Sequence, residues 1–154
     1  MNLLHCQEQG QGPTPLLCLH SSGASGGQWR TAAEHLHTRR RVLTVDLLGH
    51  GRSAGWPPQA PDSLAIEADA VWNTVGDVEL DLVGHSYGGA VALQMALERP
   101  ERVRSLCLYE PVLFGLLRRY EPWGEAWQEI SALAGRLERL LAARQPEAAG
   151  AMFC

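Results

Sequence analysis

The stretch Leu80-Asp81-Leu82-Val83-Gly84-His85-Ser86-Tyr87-Gly88-Gly89 holds the side chain best placed for chemistry. An apolar, strand-like run leads into Gly84-His85-Ser86-Tyr87-Gly88, and a helix-like run starts at once with Ala90-Val91-Ala92-Leu93. A serine on a tight strand-to-helix turn has its oxygen aimed out of the sheet, and the helix N-terminus behind it favours developing negative charge. Ser86 is therefore a candidate nucleophile. Gly84 and Gly88 remove side chains where such a turn crowds its neighbours, and Gly89 lets the helix approach the strand. The backbone N–H of Tyr87 is a natural donor to an oxyanion formed at Ser86. A serine hydroxyl is barely nucleophilic until a base takes its proton. No histidine follows His85 in the sequence.

Two further motifs surround this one. His20-Ser21-Ser22-Gly23 ends an apolar run, and the N–H of Ser22 is the candidate second oxyanion donor. Asp46-Leu47-Leu48-Gly49-His50-Gly51-Arg52-Ser53 follows another apolar run. Its Gly-x-Gly lacks the third glycine of a dinucleotide loop, and Pro57-Pro58 follows where that loop would open a helix. Asp46 is expected to brace loops through hydrogen bonds rather than react.

The elements that must hold these motifs read as strands at 15–20, 41–47, 79–85 and 103–109. Helical spacing covers 28–36, with Trp29, Ala32, Ala33 and Leu36 on one face, then 64–74 with Asp62 or Ser63 as N-cap, then the run from Ser86 to Arg99 before Pro100. Strands alternate with helices, and the strands are almost continuously apolar. That combination predicts an α/β fold, a mostly parallel sheet covered by helices on both faces. Beyond Pro111, Trp127, Ile130, Leu133, Ala134, Leu137, Leu140 and Leu141 keep helical spacing and no strand pattern occurs.

Composition sets limits on partners. The 154 residues are 45% hydrophobic and 19% charged, with a net charge of −4. This is a globular balance with no basic footprint for nucleic acid. Cys6, Cys18, Cys107 and Cys154 show no C-x-x-C spacing, so no metal site is expected. Cys18 and Cys107 lie in apolar runs and are expected to pack as small hydrophobes. The N-terminus lacks the pattern of a signal peptide, and no apolar run approaches the ~18 residues of a membrane span. A cytoplasmic location, no membrane, no cofactor and a small-molecule substrate are the expectations.

The three motifs, in this order, resemble the α/β-hydrolase superfamily. The resemblance runs from about His5 to Pro111 and includes Glu98-Arg99-Pro100-Glu101-Arg102-Val103, the usual helix-to-strand link. Leu19-His20-Ser21-Ser22-Gly23 and Tyr109-Glu110-Pro111-Val112-Leu113-Phe114 look like bacterial members with a helical cap after the sixth strand. It implies an eight-stranded, mostly parallel sheet, with Ser86 as nucleophile and the N–H groups of Ser22 and Tyr87 as oxyanion hole. His20-Ser21 stands where His-Gly is commoner. Residues 1–111 would then form the N-terminal part of the core and 112–154 a partial helical cap, to which Leu113, Phe114, Trp123 and Trp127 bring apolar surface or plain helix packing. The last strands of that fold, and the histidine that follows them, are absent from this sequence. Glu110 ends the sixth strand, where some relatives carry the acid; a structural carboxylate is the other reading. His85 should point away from Ser86, His20 and His50 belong to loops, and His5, His35 and His37 read as surface residues. The implied reaction is acyl transfer from an ester, lactone, amide or C–C substrate to water, with little turnover by this chain alone. The alternative is a non-catalytic remnant, or a subunit completed by another polypeptide. Without later strands, 103–109 is an exposed apolar edge that invites self-association or a complementing chain.

Overall fold

The computed structural model describes residues 4–61 and 63–153. The chain divides into two compact units, Met1–Val112 and Leu113–Cys154. The first carries strands β1 (Cys6–Gln9), β2 (Leu16–Leu19), β3 (Val42–Val45), β4 (Leu80–His85) and β5 (Val103–Tyr109), with helices α1 (Arg30–Leu36), α2 (Leu64–Val75) and α3 (Tyr87–Glu98). The second is helical: α4 (Phe114–Tyr120), α5 (Glu125–Ala142) and α6 (Pro146–Phe153). Among the described residues, no helix is long and apolar enough to cross a membrane.

The sheet order is β1-β3-β2-β4-β5. β2, β3, β4 and β5 pair in parallel, and each parallel connection passes through a helix, as the geometry of parallel strands requires. β1 pairs antiparallel to β3, with Cys6 opposite Val45 and Gln9 opposite Val42. This strand has no apolar signature in the sequence. Cys-Gln-Glu-Gln has no apolar alternation, and its place is set by the ladder to β3 and by the bond from Asp46 N–H to the His5 carbonyl at 2.9 Å.

The three inner strands are the core. Leu17, Leu19, Val45, Leu80 and Leu82 are buried against Ala68, Val71 and Trp72 of α2 and Val91, Ala92 and Met95 of α3. Each fully buried leucine contributes about 1.5–3 kcal/mol relative to exposure. On the other face Cys18, Val42 and Ala33 pack with Leu16, Trp29, Leu36 and Val83. Burial pushes the Cys18 thiol up to about 12, so it stays neutral, as a small hydrophobe must. Ser63 caps α2, its hydroxyl accepting the Ala65 N–H at 3.2 Å. The other candidate, Asp62, lies outside the described residues.

Two expectations need correction. Cys107 is exposed rather than packed, because β5 is the sheet edge and the Ser105-Cys107-Tyr109 side of it is left open. Coverage by helices therefore holds for both faces of the inner strands but not for both faces of β5. His5 is half-buried rather than a surface residue, with its Nε2 enclosed and without a partner among the described residues, because β1 carries it against the sheet.

One charge lies inside this frame. Asp81 of β4 is buried and receives the guanidinium groups of Arg40 and Arg104, with the Ser105 hydroxyl at 2.6 Å. The hydrogen bonds from Arg104 are the main reason that its carboxyl sits far below the usual range, with Ser105 and Arg40 adding to them against the cost of burial. A depressed carboxylate stabilises the fold above its unfolded pKa of about 4, and that share is lost as pH falls further. Urea midpoints should therefore show Asp81→Asn destabilised at pH 7, with the gap to the wild type narrowing at pH 3. A gap that is the same at both values would contradict this role.

Candidate active site

The turn between β4 and α3 is built by backbone touching backbone. A Cβ on Gly84 would lie 2.3 Å from the Gly88 carbonyl oxygen, and one on Gly88 would lie 2.5 Å from the carbonyl oxygens of Leu19 and His20. Neither site has room for any side chain. The approach brings Gly88 N–H onto the His20 carbonyl at 3.1 Å, which joins this turn to the end of β2. Gly89 leaves space against Pro111, whose Cβ would be 3.0 Å from an added one.

Ser86 sits at the apex with φ 54° and ψ −116°, a conformation that a non-glycine residue holds only when its surroundings over-determine it. They do so here. Ser86 N–H donates to the Tyr109 carbonyl at 3.0 Å, and the Ser86 carbonyl accepts from Gly89, Ala90 and Val112. The end of β5 thus grips both backbone groups of the serine. The side chain is left out of this network: among the described residues, the Ser86 hydroxyl has no hydrogen-bond partner.

Ser22 lies half-buried in the loop after β2. That loop is fixed by His20, which is fully buried. Its Nε2 accepts the Leu47 N–H at 2.9 Å, and its Nδ1 donates to the Ser21 carbonyl at 2.8 Å. The first bond requires an unprotonated Nε2, so His20 is neutral with its proton on Nδ1. Burial is the main cause holding its pKa below the usual value.

Tyr87 is tied down by its own side chain. The hydroxyl donates to Glu67 Oε2 at 3.0 Å, while Glu67 Oε1 accepts the Leu48 N–H at 2.8 Å. Glu67 is 1% exposed, and burial raises its pKa although both bonds oppose the rise. Nothing in the spacing of α2 signals this partnership, since Glu67 sits among residues that read as an ordinary helix. Asp46 braces loops as expected. Oδ1 takes the Gly26 N–H at 2.7 Å and Oδ2 takes the Arg52 N–H at 2.9 Å. Burial pushes its carboxyl up, but those two backbone bonds, together with nearby His5 and His20, hold the pKa below the ordinary value.

None of the six histidines is hydrogen-bonded to Ser86. His50 Nδ1 serves the Leu48 carbonyl, His35 that of Thr31, and His37 that of Glu34. His85 points to Gln28, and its ring lies 4.8 Å from that of Tyr109. Glu110 follows β5 with φ 45°, exposed and without a hydrogen bond or ion pair among the described residues. A hollow of about 330 Å³ beside the turn is lined by Trp56, Ser63, Leu64 and Tyr87. A larger one, about 500 Å³, is framed by Asp46, Arg30 and Arg52 and does not include Ser86. Among the described residues, no group of His, Cys, Asp and Glu is arranged to hold a metal.

With this geometry in place, comparison with known proteins is informative. The sequence profile of the alpha/beta hydrolase fold family matches residues 14–153. A lipase, LipV, of Mycobacterium tuberculosis is 38% identical over 71% of this chain and 42% of its own length. A haloalkane dehalogenase of Agrobacterium fabrum is 34% identical over 71% of this chain and 36% of its own. Among solved structures, a thermophilic esterase from Thermogutta terrifontis superposes with a TM-score of 0.64 at 26% identity, covering 78% of this chain and 50% of the esterase. The chain thus spans half or less of the length of each of these relatives.

Two substitutions test how the turn is held. Gly88→Ala should destabilise by at least the ~1–3 kcal/mol of an overpacked core site, because the added carbon meets two carbonyls that cannot yield. Tyr87→Phe leaves Glu67 Oε2 buried without its donor and should cost about 1–3 kcal/mol. The penalty falls on the ionised carboxylate, so it should be larger at pH 7 than at pH 5. Urea denaturation of both variants beside the wild type checks these values, and a Tyr87→Phe penalty that grows toward acid would contradict the assignment.

Proposed function

The chain belongs to the α/β-hydrolase fold family, and from that premise we propose that it carries the nucleophile side of a serine hydrolase acting on an acyl substrate. The observation that carries this reading is Ser86 held at positive φ between β4 and α3, its hydroxyl without a hydrogen bond among the described residues. In the proposed reaction Ser86 Oγ attacks the acyl carbon while a base takes its proton. The N–H groups of Ser22 and Tyr87 receive the resulting oxyanion, the leaving group departs, and water releases the acyl group.

The nucleophile also discriminates among the chemistries of the relatives. Displacing halide from a haloalkane with serine would leave an alkyl ether, which water does not cleave under mild conditions. An acyl-serine ester is readily hydrolysed. Serine at position 86 therefore favours an ester, or a similar acyl donor, over a haloalkane. The hollow beside Tyr87, with Trp56 and Leu64, suits an apolar part of such a substrate.

The base comes from residues other than these. His20 has both ring nitrogens committed, His35, His37, His50 and His85 are hydrogen-bonded elsewhere, and His5 makes no ring hydrogen bond to Ser86 among the described residues. Glu110 is the acid candidate by its position after β5. A second reading rests on β5 itself, which among the described residues pairs with β4 alone and has no strand on its other edge. Under that reading the chain is a subunit completed by another polypeptide, or a non-catalytic remnant. Self-association through the same edge is the competing outcome.

Hydrolysis of p-nitrophenyl butyrate separates these ideas. The 154 residues alone should turn over the ester barely faster than Ser86→Ala does, because without a base most of the rate is lost. Vigorous hydrolysis that disappears in Ser86→Ala would contradict the missing base. Hydrolysis equal in both, even after a histidine-containing partner is added, would contradict the nucleophile.

A further inference from the structure

Ser21 departs from the commoner glycine after the His20 position, and the structure gives its hydroxyl a partner. Gln28 Oε1 accepts both the Ser21 N–H at 3.0 Å and the Ser21 hydroxyl at 2.9 Å. The other end of the same amide, Nε2, lies 2.9 Å from His85 Nδ1. Ser21 precedes Ser22, and His85 precedes Ser86. One side chain therefore bridges the two segments that frame the proposed oxyanion hole.

The orientation of this bridge follows from its donors. A backbone N–H can only donate, so the oxygen of Gln28 must face Ser21. The amide nitrogen then faces His85 and can only donate. His85 Nδ1 must accept, which places the proton of its neutral ring on Nε2. The glutamine is itself held from behind. It lies in the helical turn Gly26–Trp29, whose Gly26 N–H is bound by buried Asp46 and whose Gln28 N–H donates to the Ser25 carbonyl at 2.9 Å.

We infer that Gln28 is a positioning residue that locks the Ser21–Ser22 loop to the strand end at His85–Ser86 and so sets the spacing of the two oxyanion donors; this rests on the reading of Ser86 and Ser22 given above. Ser21 strengthens the lock with a bond that glycine cannot make. Gly88 N–H on the His20 carbonyl fixes the same two segments through backbone, but that bond lies before Ser21 and leaves the tip of the loop to Gln28.

The probe is phenylboronic acid, whose tetrahedral adduct with a serine oxygen mimics the oxyanion without needing a base for turnover. Binding is followed by boron NMR at about pH 8, and the ring nitrogens of His85 are observed by nitrogen NMR on the same samples. Gln28→Ala should weaken boronate binding roughly five- to tenfold, the loss of one or two hydrogen bonds, and Ser21→Gly by less. Gln28→Glu is the informative variant. Its carboxylate still accepts from Ser21 but cannot donate to His85, so the His85 proton should move to Nδ1 while boronate affinity stays above that of Gln28→Ala. The tautomer reports the Gln28–His85 bond itself, and boronate affinity reports whether that bond sets the spacing of the oxyanion donors. Boronate affinity unchanged in Gln28→Ala, or a His85 tautomer unchanged in Gln28→Glu, would overturn the inference. Wild-type binding no tighter than that of Ser86→Ala would instead overturn the reading of Ser86 on which it rests.

Discussion

Backbone-to-backbone contact at Gly84 and Gly88 is the constraint from which the site follows. With no Cβ at either position, the first turn of α3 can lie against the end of β4 and against the carbonyls of Leu19 and His20. That closeness forces Ser86 into a conformation costing of order 1–3 kcal/mol, and bonds to Tyr109 and Val112 offset it. The same contact brings the loop after β2 beside the serine. A candidate nucleophile and a candidate oxyanion loop are thereby placed together by close packing, before any side chain takes part.

Side chains then fix what the backbone has brought together. His20 anchors the loop after β2 to Leu47, Asp46 anchors the turn at Gly26 and the loop at Arg52, and Glu67 joins Leu48 to Tyr87. Each is buried, and each satisfies backbone N–H groups of loops that have no ladder of their own. They are polar residues placed for rigidity. The relatives' names cover lipase, esterase and dehalogenase on one shared frame, as expected when fold supplies the frame and local residues choose the chemistry.

Much of this was legible in the sequence, for definable reasons. The parallel strands announced themselves as apolar runs because both faces of β2, β3 and β4 are buried. The Ser86 turn was legible because its glycines are sterically obligatory. The bracing role of Asp46 followed from a carboxylate at a strand end beside glycine-rich loops. β1 was hidden because its residues are polar and its register comes from β3. Cys107 is exposed although its run is apolar, because the run marks 103–109 as a strand without saying which of its faces a helix covers. Glu67 and Gln28 left no signal at all. Their importance depends on which distant backbone groups lack partners, and periodicity along one helix carries no such information.

The account turns on the proposal that Ser86 is the reactive centre and that the N–H groups of Ser22 and Tyr87 receive its oxyanion. A crystal structure of the chain with phenylboronic acid addresses both at once. Boron bonded to Ser86 Oγ, with one boronate oxygen about 3 Å from the N–H groups of Ser22 and Tyr87, is the expected result. Boron bound elsewhere, or a Ser86 adduct whose oxygens face away from both donors, would contradict it.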